Sequence, residues 1–252
     1  MGKIITIFVL FLVTIFSFEV ANSQVRYTPP AVTLGAAFDM NFANNDAYGR
    51  VSNLDSYGMR AGKGFEIFAK FGLGVMKRHR ITTSITYNKM INYDRNSSFI
   101  SQVFSTNPDD FVHTNFTILT GAAGYEYLFG APCCNKQHLG LALTFNSIAG
   151  VADNNIPTKK YEGSFRLGLQ FNAGYEFMIG STGQYGITLG FKYNWVNLLN
   201  ATNKIDSPSA SEISLNDGNE AGGRGFTRWI GISTINIGFN FYTGVKQVIL
   251  RK

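Results

Sequence analysis

Ser164-Phe165-Arg166-Leu167-Gly168-Leu169-Gln170-Phe171-Asn172-Ala173-Gly174-Tyr175-Glu176-Phe177 separates by parity into two different surfaces. Phe165, Leu167, Leu169, Phe171, Ala173, Tyr175 and Phe177 fall on one side. Ser164, Arg166, Gly168, Gln170, Asn172, Gly174 and Glu176 fall on the other. Side chains two apart along a strand share a face, so the segment is one strand with an apolar and a hydrophilic wall. A soluble sheet turns the apolar wall to its core. A membrane barrel reverses this, with apolar groups toward lipid and polar groups enclosed.

A related phrase closes three strands. It reads Gly124-Tyr125-Glu126-Tyr127-Leu128-Phe129-Gly130, then Gly174-Tyr175-Glu176-Phe177-Met178-Ile179-Gly180, then Gly238-Phe239-Asn240-Phe241-Tyr242-Thr243-Gly244. Each copy sends two aromatic rings one way and a polar side chain the other. Further alternating stretches predict strands over 32–42, 64–75, 81–91, 113–129, 138–149, 185–195 and 229–242, eight with the opening one. The fourth is irregular before Gly124, which suggests a bulge there. Strict alternation of this length suits a tilted transmembrane strand, which needs roughly 9–11 residues per crossing.

The links support the membrane reading. Long polar links are predicted at 43–63, 92–112, 150–162 and 200–227, and short ones at 76–80, 130–137 and 180–184. Long loops on one rim and tight turns on the other are the habit of outer-membrane barrels, and a soluble export-route barrel need not sort them so. The chain of 252 residues carries 15% charged and 14% aromatic residues, 27 glycines and a net charge of +6. Its basic residues are scattered and do not interleave with aromatics on one face, so nucleic acid is not an expected partner.

Residues 1–23 are predicted to be a signal peptide: Lys3, an apolar stretch from Ile4 to Phe18, then Ala21-Asn22-Ser23. Residues 24–252 are then the barrel, with strands over about 31–242, followed by a short C-terminal tail. Cys133 and Cys134 are adjacent, at a Cα spacing of about 3.8 Å that is too short for ordinary disulfide geometry.

Signal segment, eight alternating strands, short turns and long outer loops together resemble the small outer-membrane barrels of the OmpA/OmpX type. The glycine-aromatic strand ends are similar to Bacteroidetes-like outer-membrane β-barrel domain families. The resemblance implies an all-β, eight-stranded antiparallel up-and-down transmembrane β-barrel in the bacterial outer membrane. It departs from such barrels at the C-terminus, where Phe241-Tyr242 is followed by residues through Lys252 rather than ending the chain.

On that architecture Asp39, Glu66, Lys70, Glu126, Arg166, Glu176 and Lys192 point inward. Asp39, Glu66, Arg166 and Lys192 belong toward the loop end, and Glu126 and Glu176 at the turn end. Ion pairs are expected, with Arg166 and Lys192 beside the upper carboxylates, because an isolated enclosed charge carries a large desolvation penalty. Eight strands leave an interior that side chains just fill, so a polar plug is expected, with a narrow channel as the alternative. Tyr125, Tyr127, Tyr175, Phe177, Phe239 and Phe241 are predicted to form a periplasmic aromatic girdle, with Tyr193, Trp195 and Trp229 near the other rim.

No catalytic or metal residues and no cofactor are assigned. His79 lies in Lys77-Arg78-His79-Arg80, a basic turn expected to meet periplasmic solvent or lipid headgroups. His113, Asn115 and Glu126 are similar in spacing to the His-x-Ser and distant Glu of a lipid A deacylase barrel. Asn115 stands where a hydroxyl nucleophile is required, and Glu126 belongs to the opposite rim, whereas nucleophile and base must meet. Cys133, Cys134 and His138 lack the two-to-four-residue Cys spacing of zinc sites. Asp217, Asn219 and Glu220 lack the residue order of a calcium loop. The expected role is non-enzymatic, structural or surface-binding in the manner of an adhesin or receptor. Its partners would be outer-membrane lipid and an extracellular ligand met through Tyr48, Tyr57, Phe99, Phe104 and Phe111. The alternative role is a lipid-modifying barrel enzyme.

Overall fold

The computed structural model describes residues 26–45, 47, 59–91, 114–129, 136–152, 159–179, 183–199, 212–213, 229–245 and 247–248. Eight long strands build the molecule: β1 (Val32–Asn45), β2 (Ala61–Leu73), β3 (His79–Ile91), β4 (Thr114–Phe129), β5 (Lys136–Ala152), β6 (Lys159–Ile179), β7 (Tyr185–Leu199) and β8 (Ile230–Thr243). Each pairs antiparallel with its sequence neighbours. β8 returns to β1 in unbroken register from Ile230↔Asn45 to Thr243↔Val32. The sheet is therefore a closed up-and-down barrel without a free edge, the condition for strands to cross hydrocarbon.

Exposure decides which way the walls face. Phe165 is 55% exposed, Phe171 38% and Leu143 61%, whereas Arg166, Glu176 and Asn146 are 0% exposed. Along β5, Leu139, Leu141, Leu143 and Phe145 look out while Gly140, Ala142, Thr144 and Asn146 look in. A continuous outer belt of Leu, Ile and Phe is far larger than an apolar patch tolerated in water, and it identifies the lipid-facing surface of a membrane-spanning barrel.

The irregular fourth strand contains no bulge. β4 pairs without interruption to β3 and β5. Its alternation is obscured because Phe116 and Ile118 are apolar yet face inward, 3% and 2% exposed. The register shifts lie elsewhere, between Ile148 and Gly150 on β5 and between Leu167 and Leu169 on β6. After the first shift, pairing resumes at Gly150↔Tyr161 and continues to Ala152↔Lys159. The third outer link therefore shrinks from the expected 150–162 to 153–158, and β5 and β6 run on as a hairpin. The other loop-rim links span 46–60, 92–113 and 200–229, against 74–78, 130–135 and 180–184 on the turn rim.

Short pieces dress the two ends. Arg26–Tyr27 pairs antiparallel with Gln247–Val248, so part of the tail after β8 is held to the chain ahead of β1. Glu212–Ile213 adds in parallel to Lys160 and Tyr161 on the prolonged β6. The β2–β3 turn needs the left-handed conformation at Gly74 (φ 71°), which glycine adopts without steric penalty. The signal segment, Tyr48, Tyr57, Phe99, Phe104, Phe111, His113, Cys133, Cys134, Asp217, Asn219 and Glu220 lie outside the described residues.

Candidate functional site in the barrel lumen

Strand parity puts hydrophilic side chains in the lumen, and barrel closure brings distant strands face to face. At the turn end, Glu126 of β4 and Glu176 of β6 meet Lys70 of β2 and Arg80 of β3. Lys70 Nζ lies 3.1 Å from Glu126 Oε2 and 2.9 Å from Glu176 Oε1. Arg80 Nε donates to Glu126 Oε1 at 2.7 Å and Nη1 donates to Glu176 Oε2 at 3.1 Å, while Nη2 donates to both carboxylates. The guanidinium fork spans two acids, a geometry that a lysine ammonium cannot reproduce. Tyr242 Oη donates to Glu176 Oε2 at 3.4 Å and accepts from Asn240 Nδ2 at 2.9 Å.

Arg80 was expected in a solvent-facing basic turn, and the structure corrects that. β3 begins at His79, so Arg80 takes the inward parity of Thr82, Thr86 and Asn88 and is 1% exposed. His79 takes the outward parity, where it is hydrogen-bonded to Tyr125 Oη and stacks edge-on with Tyr127 at 5.2 Å.

Higher in the lumen, Lys192 Nζ of β7 donates to Glu66 Oε2 of β2. Asp39 is 1% exposed and lines a small cavity with Lys192, Thr86 and Asn88. Arg166 is fully buried where β6 pairs with Asn146 of β5. A layer of amides and hydroxyls spans this level. Thr120 Oγ1 donates to Asn146 Oδ1 at 2.7 Å, Asn146 Nδ2 donates to the Val196 carbonyl at 2.7 Å, and Thr144 Oγ1 donates to Asn194 Oδ1 at 3.1 Å. On the neighbouring wall, Asn41 Nδ2 of β1 donates to Asn88 Oδ1 of β3 at 2.8 Å and Asn41 Oδ1 accepts from its cross-strand partner Thr234 Oγ1 of β8 at 2.7 Å.

The loop end of the filling is apolar, which corrects the expectation of a wholly polar interior. Met59, Met90, Phe116, Ile118, Ile148, Val196, Ile230 and Ile232 cluster there with Ala43 and Ala47. Phe68 is also an inward aromatic that alternation alone left unremarked. Its ring lies across Gly35 so closely that a Cβ there would fall 2.3 Å from Phe68 Cζ, and Lys70 Nζ sits 5.3 Å from the ring centre. Between the ionic and amide layers is a cavity of about 50 Å³, lined by Glu66, Phe68, His138, Gln170 and Lys192 among others. It is roomy enough for a water molecule or two and too small for a substrate.

Glu126, His138 and Glu176 hold potential metal-ligating atoms within 4.8 Å of one another. The inward parity of His138 places it beside Glu126 and Glu176, at 3.8 and 3.9 Å, while Cys133 and Cys134 lie outside the described residues. Arg80 and Lys70 already occupy the same carboxylate oxygens, so the cluster reads as an ion-pair latch. Asn115 and Glu126 lie at opposite ends of β4, separated by roughly 35 Å of strand.

On the outer wall, Tyr125, Phe177, Phe239 and Phe241 are exposed near the turn rim, and Tyr127 packs edge-on against Phe129 at 4.8 Å. Tyr175 shares their parity but is only 7% exposed, its ring 4.4 Å from that of Phe177. It therefore does not present an open face to lipid, contrary to its expected place in the girdle. Trp195 and Trp229 are exposed toward the loop rim.

No protein-family model matches the chain, and no curated protein does. Among solved structures, it is similar to Neisserial surface protein A at 15% identity, with 84% of this chain and 97% of that one covered and a TM-score of 0.49. It is similar to Ail, the attachment invasion locus protein of Yersinia pestis, at 11% identity, 85% and 100% coverage and a TM-score of 0.44. It is also similar to the N-terminal β-barrel domain of Pseudomonas aeruginosa OprF, at 13% identity, 84% and 98% coverage and a TM-score of 0.37. The fold assignment itself stands on strand pairing and wall polarity. A closed eight-stranded antiparallel barrel, apolar outside and largely hydrophilic within, with short turns on one rim and three long links on the other, has the fold of a small bacterial outer-membrane β-barrel of the OmpA/OmpX type.

Proposed function

We propose that this barrel is a non-enzymatic structural and surface-display protein of the outer membrane, closed to bulk ion flow. The observation that carries the reading is the stacked filling of the lumen: ionic latch, amide layer, then apolar cluster. An ion following the axis would have to part a bidentate arginine pair and then cross a dry layer of Met, Ile and Phe, each a large barrier in a low-dielectric interior. The prolonged β5–β6 hairpin, with Glu212–Ile213 added alongside, supports display: it extends a rigid sheet toward the loop rim. Loops carried on such a frame are natural places for an extracellular ligand. Chemistry is disfavoured because Asn115 and Glu126, two of the residues a deacylase-like site would need together, lie at opposite ends of β4.

Planar-bilayer recording tests the closed lumen. The reconstituted barrel should give no large, steady conductance; a stable open channel in the wild type would refute the reading. Removal of the 92–113 link, which carries three of the loop aromatics, should abolish any binding of whole cells to host or matrix surfaces. Unchanged binding would argue against display through that link.

A further inference from the structure

The outer wall of β2 and β3 is a ladder of directly opposed residues: Lys63↔Lys89, Phe65↔Tyr87, Ile67↔Ile85, Ala69↔Thr83, Phe71↔Ile81 and Leu73↔His79. Two lysines therefore top a mostly apolar column that holds no other side chain of fixed charge, both exposed and both of outward parity. Directly opposed Cβ atoms on neighbouring strands are about 5 Å apart, and like charges there repel. The flanking wall does not relieve them. Met40 of β1 pairs with Lys63 and Thr117 of β4 pairs with Lys89. Among the described residues with placed side chains, the carboxylates are Asp39, Glu66, Glu126 and Glu176, and all four are buried in the lumen. An anion between the ammonium groups turns repulsion into attraction.

The height of the pair names the source of that anion. From Lys63 to Leu73 the strand runs about 34 Å, which at a tilt of about 40° spans about 25 Å, the thickness of the apolar band of such barrels. With His79 and Leu73 at one edge of the band, Lys63 and Lys89 lie at the other, in the plane of the headgroups. Phe65 and Tyr87 one step below mark the same boundary, where amphipathic rings settle.

We propose that Lys63 and Lys89 form a clamp for the phosphate headgroup of an anionic lipid in the leaflet at the loop rim. This rests on the membrane-barrel reading and adds a specific lipid site to it. The test is a titration of the barrel, folded in zwitterionic detergent, with bisphosphorylated lipid A, scored by native mass spectrometry for retained lipid. Lys63→Gln and Lys89→Gln should each weaken retention about fivefold and the double variant about 25-fold. The Lys63→Arg/Lys89→Arg protein should keep the lipid, as should Lys77→Gln on the opposite rim. Retention by the double Gln variant within twofold of wild type would overturn the proposal, as would equal displacement by phosphatidylcholine or by millimolar inorganic phosphate. Heat-modifiable migration of the same samples separates the two readings. Protein that never acquires it refutes the membrane barrel, whereas protein that acquires it and ignores the lysines refutes the clamp alone.

Discussion

Replacing Arg80 by methionine is the sharpest test of the lumen latch. Arg80 is 1% exposed and donates to both Glu126 and Glu176, themselves 1% and 0% exposed. Its removal leaves two buried carboxylates with Lys70 as their close ammonium partner. Removing one member of a buried ion pair typically costs about 3–5 kcal/mol, because the remaining charge stays desolvated. The two acids also repel each other once the guanidinium is gone, which puts the expectation toward the upper end of that range. Balanced removal should behave differently. The double variant Arg80→Met/Glu126→Gln leaves Lys70 and Glu176 at 2.9 Å, so it should recover about 2 kcal/mol or more of the loss. Equilibrium urea unfolding in short-chain phosphatidylcholine vesicles, followed by the fluorescence of Trp195 and Trp229, measures both variants. A single variant within about 1 kcal/mol of wild type, or a double variant no better than the single, would show that the latch does not stabilise the barrel.

Wall polarity can be tested at Leu143, which is 61% exposed on β5. Leu143→Arg should lose about 2–4 kcal/mol in bilayers, the expected penalty for a cation on the lipid face near the midplane; an unchanged urea midpoint would place that side chain out of lipid. At Gly35 a Cβ would meet Phe68 Cζ at 2.3 Å and the Phe239 carbonyl oxygen at 2.7 Å. Gly35→Val should therefore fold in low yield by heat-modifiable migration, and adding Phe68→Leu should improve it only in part, because the backbone oxygen cannot retreat. Full recovery in that double variant would show that the ring alone sets the constraint.

Much of the barrel was legible because its physics is local. The parity of Phe165 through Phe177 reports a strand and its two faces without reference to any other strand. Arg80 was missed for an equally local reason: with β3 begun at Ile81, the residue fell into a turn, and a shift of strand start by two residues moved it from solvent to the lumen. Phe116 and Ile118 broke the apolar-out pattern because a filled lumen accepts grease at its loop end as readily as amides lower down. Their signal was present as a stretch of β4 apolar on both faces, which reads as a bulge when the neighbouring strands are out of view. The 150–162 link looked like a loop because the register shift after Ile148 breaks strict alternation while pairing continues.

Alternation, glycine-aromatic strand ends and sorted link lengths by themselves determined the number of crossings, their direction and the inward parity of Asp39, Glu66, Lys70, Glu126, Arg166, Glu176 and Lys192, since each depends only on a side chain's place along its own strand. Which inward residues meet was decided by tertiary structure. Lys70 is 56 residues from Glu126 and 106 from Glu176, and those separations carry no periodic signal. Closure of β8 onto β1, together with strand tilt and stagger, sets the level of each side chain along the axis, and only at matched levels can charges on opposite walls pair across the lumen.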